Sequence, residues 1–581
     1  MRRASGQACS RSPIMRRALP RGAEISWIPA LHWFRSYSPM SFNADLIAGL
    51  SLAAFVIPES LAYASLAQLP PVTGLYCYLV AGIAYALFGT SKQLAVGPTS
   101  ALALVVATAV APMAGGDPAR AVALASAIAL IVGVVSIGGR FVGLANAAYF
   151  ISDPILVGFK TGAALYIAST QLPKLFGIEG ITGNFFERVG HVLVSLPELN
   201  MAALLFGLAA IALFVASERF FPGRPTTLIV VAAAIAVMSA FRLGAAGIKV
   251  VGELPTGLPP IGLPQVELSA ISELVPVAFA CFMLAYGEAI STARGFAQKH
   301  GYEIDPAQEL TALGAANLAT GMAHGFPVAG GMSQSAVNDM GGASSPVALL
   351  VTSGAIALTL LFFAWFFHNL PEPVLGAIVL MAASHLVRLK DLQQLRFASR
   401  TEFRISLLAF AGVLFLGLLD GLLLAAAGSL VMLIAQAARP VVVALGYEAA
   451  TARFISRARY PGTADTPGAL VLRCAGAWLY FNAEHIRSLV IGMVEHAPGA
   501  IRTVVLDFSI VPAVDITAGG ILRALARSLT ASGVALELAE LHDDVLDGLK
   551  AVDAELDLGP LAAHRSIQDC LTGRGHPLPG Q

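Results

Sequence analysis

The chain has 581 residues, of which 56% are hydrophobic and 12% charged, with 36 Lys and Arg against 36 Asp and Glu; its mean hydropathy is +0.74. A soluble domain carries about 25% charge, so this composition excludes an ordinary soluble protein and points to a polytopic α-helical membrane protein. Zero net charge gives no reason to expect a nucleic-acid partner. Cys9, Cys77, Cys281, Cys474 and Cys570 are scattered without metal-ligand or redox spacing, so they read as small buried apolar residues, and neither a metal nor a cofactor is expected.

Residues 1–42 carry Arg2, Arg3, Arg11, Arg16, Arg17, Arg21 and Arg35 against the single acid Glu24. They lack the short apolar core and small-residue cleavage site of a signal peptide, so they are expected to form a basic cytoplasmic arm. Met15 is an equally acceptable start.

A transmembrane body is expected over residues 43–439. A spanning helix needs about 20 apolar residues, and apolar runs fall near 45–67, 73–89, 97–112, 120–138, 152–172, 200–217, 226–242, 272–293, 308–323, 332–341, 345–367, 372–387, 403–418 and 420–438. The third and tenth of these fourteen are short. With the N-terminus inside, the inner loops hold Lys92, Arg140, Arg219, Arg224, Arg294, Lys299, Arg388, Lys390, Arg396, Arg400, Arg404 and Arg439, and the outer loops only Arg120, Lys174, Arg188, Arg242 and Lys249. The excess inside fits the positive-inside rule, and an even helix count returns the C-terminus to the cytoplasm.

Two features of the first run point to a site. Pro58 removes a backbone hydrogen bond and Glu59 puts a carboxylate at bilayer depth, where it costs about 3 kcal/mol or more unless it faces a cavity or a partner; the helix is expected to be broken there. Gly97-Pro98-Thr99-Ser100 then opens the short third segment, and a helix start buried at mid-membrane presents unpaired N–H groups to an anion. Gly330-Gly331-Met332-Ser333 opens the short tenth segment at a matching distance from the start of the eighth helix. Seven helices per half is odd, so the halves are expected to be inverted, with the site at the midplane between two half-helix starts. No ring of loop charges suggests a pore, which favours a carrier over a channel.

After Arg439 the charge rises. Residues 440–460 read as a linker, and 461–572 as strands alternating with helices: ALVLRCAGAWLYFN, AEHIRSLVIGMVEH, RTVVLDFS, ITAGGILRALARSLTASG, VALELAEL and HDDVLDGLKAVDAE. That pattern makes a separate α/β domain, with 573–581 expected as a disordered tail. No GxxxxGK[ST] motif occurs, which argues against a primary pump.

The runs VIPESLAYASLAQLPPVTGLY, FGTSKQLAVGPTSAL, GEAISTARGFAQKHGYEIDPAQELTALGAANL, FPVAGGMSQSAVN and VVLDFSIVPAVDITA, in that order over about residues 42–572, resemble the SulP family of sulfate permeases and related anion transporters. The resemblance implies about fourteen transmembrane helices in a 7+7 inverted repeat, split into core and gate domains, and a cytoplasmic STAS domain. It also implies a homodimer in the inner (plasma) membrane that moves its anion by an elevator-like motion. Carried over to this chain, the anion site takes Glu59 and Tyr63 from the first helix, Thr99 and Ser100 from the third, Glu288 from the eighth, and Ser333 with Gln334 from the tenth. Many relatives have Arg at the position of Gln334 and Gln at that of Glu59, so this pocket has exchanged a positive charge for a negative one.

Each of these residues also has a structural reading. Glu59 could cap backbone groups near Pro58, Tyr63 could be a packing aromatic, and Thr99, Ser100 and Ser333 could be close-packing small residues. Glu288 stands shortly before the expected helix end at Arg294 and could pair with it. Lys160, in DPILVGFKTGAALYIAS, would either snorkel to the interface or pair with Glu59 or Glu288. His324 and His385 read as loop or interface residues. In the tail, Ile516 follows Asp515 where soluble STAS antagonists carry a phosphorylatable serine, so a docking or stabilising role is expected instead.

The expected function is secondary active transport of sulfate by proton symport, with Glu288 or Glu59 carrying the proton. Without an Arg at 334, a divalent anion meets only two half-helix ends worth about half a charge each, and a protonated carboxyl would spare it repulsion. A bicarbonate or C4-dicarboxylate carrier, sodium coupling, or a channel or sensor signalling through the STAS domain are the alternatives.

Overall fold

The computed structural model describes residues 29–30, 37–144, 153–181, 183–220, 226–241, 243, 247–387 and 389–576. The basic arm before residue 29, Arg224, Arg242, Arg388 and residues 577–581 lie outside the described residues. The chain divides into two compact units, Met1–Ser429 and Leu430–Gln581.

The first unit is helical: α1 (Pro39–Leu66), α2 (Val72–Phe88), α3 (Ser100–Ala114), α4 (Pro118–Phe141), α5 (Asp153–Phe176), α6 (Phe185–Val194), α7 (Met201–Phe220), α8 (Thr226–Ala240), α9 (Leu268–His300), α10 (Pro306–Met322), α11 (Met332–Met340), α12 (Val347–Leu358), α13 (Glu372–Leu386), α14 (Leu389–Ala398), α15 (Arg400–Leu416) and α16 (Leu418–Ala437), which runs into the second unit. Each of the fourteen apolar runs coincides with a helix, and α6 and α14 are added. By length and composition, five helical stretches among the described residues can cross a membrane: Pro39–Leu66, Pro118–Phe141, Ser269–His300, Val347–Asn369 and Glu372–Ala398. The fourth is α12 prolonged by a π turn and a 3-10 turn to Asn369.

Local chemistry sets the helix ends. Ser38, Asp117 and Asp305 cap α1, α4 and α10 by accepting N–H bonds from Ser41, Ala119 and Ala307 at 3.1, 2.9 and 2.9 Å, and each is followed by a proline, which suits the first helical turn. Gly115 and Gly301 end α3 and α9 at φ 60° and 70°, a left-handed conformation that other residues adopt with strain. Two expectations about these helices need correction. The first helix is not broken at Pro58: α1 is continuous over 28 residues, because proline withholds one N–H, that for the Ala54 carbonyl, and the rest of the ladder holds. The α9 helix does not end at Arg294 but at His300, which puts Glu288 twelve residues inside it.

Packing sorts the helices into two groups. In one, α4 lies on α10, α2 on α10 and α12, and α1 on α2, α11 and α12; in the other, α5 lies on α13 and α15, and α7 on α13. Small residues permit the closest approaches. A Cβ at Gly158 would collide with the Ser406 carbonyl, and one at Gly162 would stand 2.9 Å from the Phe410 carbonyl. These two glycines, four residues apart, form the α5 face that meets α15.

Two strands of two residues each, β1 (Val96–Gly97) and β2 (Ala329–Gly330), pair antiparallel with Val96 opposite Gly330 and Gly97 opposite Ala329. They lead directly into α3 and α11. Two buried acids at helix starts anchor the flanking loops. Asp45 accepts the N–H groups of Ser344 and Ser345 at 2.7 and 3.0 Å, and Glu309 accepts those of Thr90 and Ser91 at 2.8 and 3.2 Å and the Tyr85 hydroxyl at 2.8 Å.

The second unit is an α/β domain with a five-stranded sheet in the order β4-β3-β5-β6-β7: β3 (Val442–Glu448), β4 (Arg453–Ser456), β5 (Ala469–Cys474), β6 (Thr503–Asp507) and β7 (Ala535–Ala539), with helices α17 (Ala483–Glu495), α18 (Ile516–Ala531), α19 (Asp543–Ala551), α20 (Glu555–Leu558) and α21 (Ile567–Gly573). β5, β6 and β7 run parallel, while β3 is antiparallel to both β4 and β5. The expected linker at 440–460 therefore holds two strands; their apolar faces are short, but Val442, Leu445 and Phe454 are buried in the domain core. The strand reading of ALVLRCAGAWLYFN ends at Cys474. The expected disorder does not begin at 573, because His576 is buried and bonded through Nε2 to the Thr503 hydroxyl at 2.8 Å. Asp515 caps α18 through the Ala518 N–H at 2.8 Å and also accepts the Tyr480 N–H at 2.7 Å; Ile516 beside it is exposed and has no hydroxyl to phosphorylate.

Candidate anion-binding site

The β1–β2 pair brings the starts of α3 and α11 together inside the first unit. Thr99, the N-cap of α3, turns its hydroxyl to the Leu102 N–H at 3.5 Å, and Gly331 is the N-cap of α11. The first N–H groups of a helix have no intrahelical acceptor, so both starts present donors to one region. α1 and α9 pack against both half-helices.

Glu59 is buried on α1 and is bonded twice. Its Oε1 accepts the Tyr63 hydroxyl at 2.7 Å, one helical turn on, and its Oε2 accepts Gln334 Nε2 at 3.0 Å. Gln334 Nε2 also donates to the Pro98 carbonyl at 2.8 Å. One side chain of α11 thus reaches the start of α3 and the middle of α1. The Tyr63 phenol has the Ser100 hydroxyl and the Glu288 carboxylate nearby. Glu288, half-buried on α9, has the Thr99 hydroxyl and the Lys160 ammonium of α5 as neighbours, without a direct ion pair to that lysine. Ser333 lies half-buried in the first turn of α11. Glu59, Tyr63, Thr99, Ser100, Glu288, Ser333, Gln334 and Lys160 therefore gather around the two half-helix starts.

Sequence reasoning passed over other participants. Ser60 and Tyr78, buried near Glu59, hold hydroxyls without a partner among the described residues, as is Gln334 Oε1. Tyr78 also lies against Gly97, where an added Cβ would strike its ring. Asp45 and Glu309 were legible as acids inside apolar runs, a pattern that marks structural anchors as well as sites.

The half-helix starts offer N–H and hydroxyl donors, with one lysine and two carboxylates close by. Such a pocket can hold a small anion whose charge is balanced by a proton or cation.

The sulfate permease family model matches residues 42–409 and the STAS domain model residues 460–564. A probable sulfate transporter of Mycobacterium tuberculosis is 33% identical over 533 residues, covering 92% of this chain and 95% of that protein. Sulfate transporter 1.1 of Arabidopsis thaliana is 30% identical over 569 residues, covering 94% and 87%. The murine solute carrier 26 family member A9 anion transporter, solved in an inward-facing state, superposes with a TM-score of 0.87 at 23% identity, covering 98% of this chain and all of that one. The transmembrane domain of a cyanobacterial bicarbonate transporter gives 0.60 at 20% identity over 67% of this chain and 98% of that one. The chain belongs to the sulfate permease family, as a secondary active anion transporter with a C-terminal STAS domain.

Proposed function

We propose that the protein is a proton-coupled sulfate carrier whose anion binds between the starts of α3 and α11, held by Thr99, Ser100, Ser333 and the first N–H groups of both helices. The observation that carries this reading is the antiparallel β1–β2 pair, which turns two helix starts toward one point beside Glu59 and Gln334. Gln334 brings no charge, so a divalent anion depends on the half-helix ends, on Lys160, and on a proton held by Glu288 or Glu59. Glu288 is the better proton carrier because Glu59 is already bonded by Tyr63 and Gln334. In this reading fourteen helices cross the inner membrane as a 7+7 inverted repeat, residues 43–439 form the transporter, the α/β unit with β3 to β7 is the STAS domain, and both termini are cytoplasmic. The protein works as a homodimer by an elevator-like motion. Uptake of labelled sulfate into proteoliposomes, with and without pH and sodium gradients, tests it. Uptake driven by an inward proton gradient is expected; uptake of bicarbonate or a C4-dicarboxylate in preference to sulfate, or driven by sodium alone, would replace it.

A further inference from the structure

A cavity of about 700 Å³ opens between the two helix groups beyond the site, lined among others by Ser65, Thr108, Thr170, Lys174, Asn184 and Arg188. Ser65 stands two residues past Tyr63 on α1. Leu104, also on its wall, stands one turn past Ser100 on α3, so its floor is about 6 Å along the helix from the site. Under the orientation proposed above, on which this inference rests, the cavity faces outward.

Neither of its cations has a direct ion pair among the described residues, and the nearest counter-charge to Lys174 is the Glu372 carboxylate of the adjoining cavity. Lys174 Nζ donates to the Ser65 hydroxyl at 2.8 Å, and no carboxylate lies within 4 Å of it among the described residues. Arg188 gives its Nε to the Gly183 carbonyl at 2.8 Å and stacks its guanidinium 5.3 Å from the Tyr166 ring centre; its terminal amino groups remain available. Asp420 is the one carboxylate on this wall among the described residues, and it is exposed. An adjoining cavity of about 360 Å³ shares Lys174 and adds Lys249, Glu179 and Glu372. An arriving anion adds to the hydrogen bond a Coulomb attraction between opposite charges that the neutral Ser65 hydroxyl does not offer, so it is a better partner for Lys174.

We propose that this cavity is a capture site for a small oxyanion, with Lys174 and Arg188 as its cationic ligands and the Thr108 and Thr170 hydroxyls as donors. Lys174 belongs to the α5 group and Ser65 to the α1 group, so the exchange of Ser65 for the anion also undoes a bond between the two groups. The capture step then loads the site and loosens its closure together.

The test uses the full chain in proteoliposomes with labelled sulfate as the probe. Lys174→Cys, with Cys9→Ser, should raise KM about tenfold, the loss of one charge-assisted bond, with a smaller effect on the maximal rate. The other four cysteines are buried. Aminoethylation from outside, which restores an ammonium through a disulfide, should restore KM, while a sulfonatoethyl reagent should not. Ser65→Ala should lower KM; if it raises KM like Lys174→Gln, the lysine is a structural tie and the proposal fails. An unchanged KM in Lys174→Cys, or equal rescue by both reagents, overturns it too. Failure of the central site is read separately by equilibrium binding to Ser333→Leu: retained sulfate binding that disappears on adding Lys174→Gln supports the capture site, whatever the fate of transport, and absence of binding in Ser333→Leu refutes it.

Discussion

Gln334 places one nitrogen between two acceptors, the Glu59 carboxylate at 3.0 Å and the Pro98 carbonyl at 2.8 Å. The opposite amide orientation would set oxygen against oxygen on both sides, so the hydrogen-bond pattern fixes it. The amide therefore serves the walls of the site and has no N–H left for an anion. Gln334→Leu should leave the Glu59 carboxylate without one of its two donors, and sulfate affinity, followed by equilibrium binding, should fall even though Gln334 donates nothing to the ligand.

Thr99→Leu and Ser333→Leu should each abolish uptake while the purified protein stays monodisperse with an unchanged helical signal. Both residues are at half-helix starts, where a bulky side chain fills the space proposed for the anion. Normal uptake by both variants would place the anion elsewhere.

Uptake should grow as the outside pH falls from about 8 to about 6, because the proposed proton carrier must be loaded before the divalent anion crosses. Glu288→Gln should flatten that dependence while still permitting anion exchange. If both Glu288→Gln and Glu59→Gln keep the full pH dependence, neither carries the proton; stimulation by sodium at constant pH would substitute a cation for it.

Gly330→Ala should lower the melting temperature and reduce uptake. The added Cβ would stand 2.7 Å from Leu94 Cδ1 and 2.9 Å from the Ala289 Cα, and overpacking of this kind typically costs about 1–3 kcal/mol. Gly354→Ala, with no atom within 4 Å of its Cβ, is the control that should melt like the parent.

In the tail, Arg527 and Arg523 hold the Asp557 carboxyl down to about 2, below the ordinary value of about 4. A depressed folded-state pKa adds stability that is present above about 4 and is lost as pH falls through about 2. Asp557→Asn should remove this acid-sensitive part of the unfolding curve, read from Trp478 fluorescence in the tail domain. Removing the tail after Arg439 should lower rate or yield but leave the order of anion preference unchanged, since no tail residue is proposed to touch the anion.

The helical plan was legible because lipid leaves backbone groups no external partner, so every apolar run must close its own bonds. The short third and tenth segments were marked by Gly97-Pro98-Thr99-Ser100 and Gly330-Gly331-Met332-Ser333, where small and polar residues stop one apolar run and start another. The contact between them was not legible: two residues at 96–97 and two at 329–330 carry no strand signature, and their pairing depends on everything folded in between. Pro58 suggested a break that the surrounding ladder does not allow. Strands β3 and β4 escaped notice because seven and four residues next to a membrane helix look like a connection. The partners of Gln334 and Lys174 lie 275 and 109 residues away in the chain, and no spacing rule reaches that far.

The bonds around the β1–β2 pair do not stop at the four strand residues. Ala95 accepts the Gly331 N–H at 3.1 Å and donates its own to Ser335 Oγ at 2.9 Å, and Asn338 Nδ2 reaches the Gln93 carbonyl at 3.1 Å. The lead-in to α3 is stitched along most of α11, so the two half-helices form one cassette with no seam between them. Whatever swings during turnover must hinge elsewhere and carry both faces of the anion pocket as a single piece. A disulfide engineered across this cassette should leave turnover intact, whereas one that joins position 65 to position 174 should freeze it.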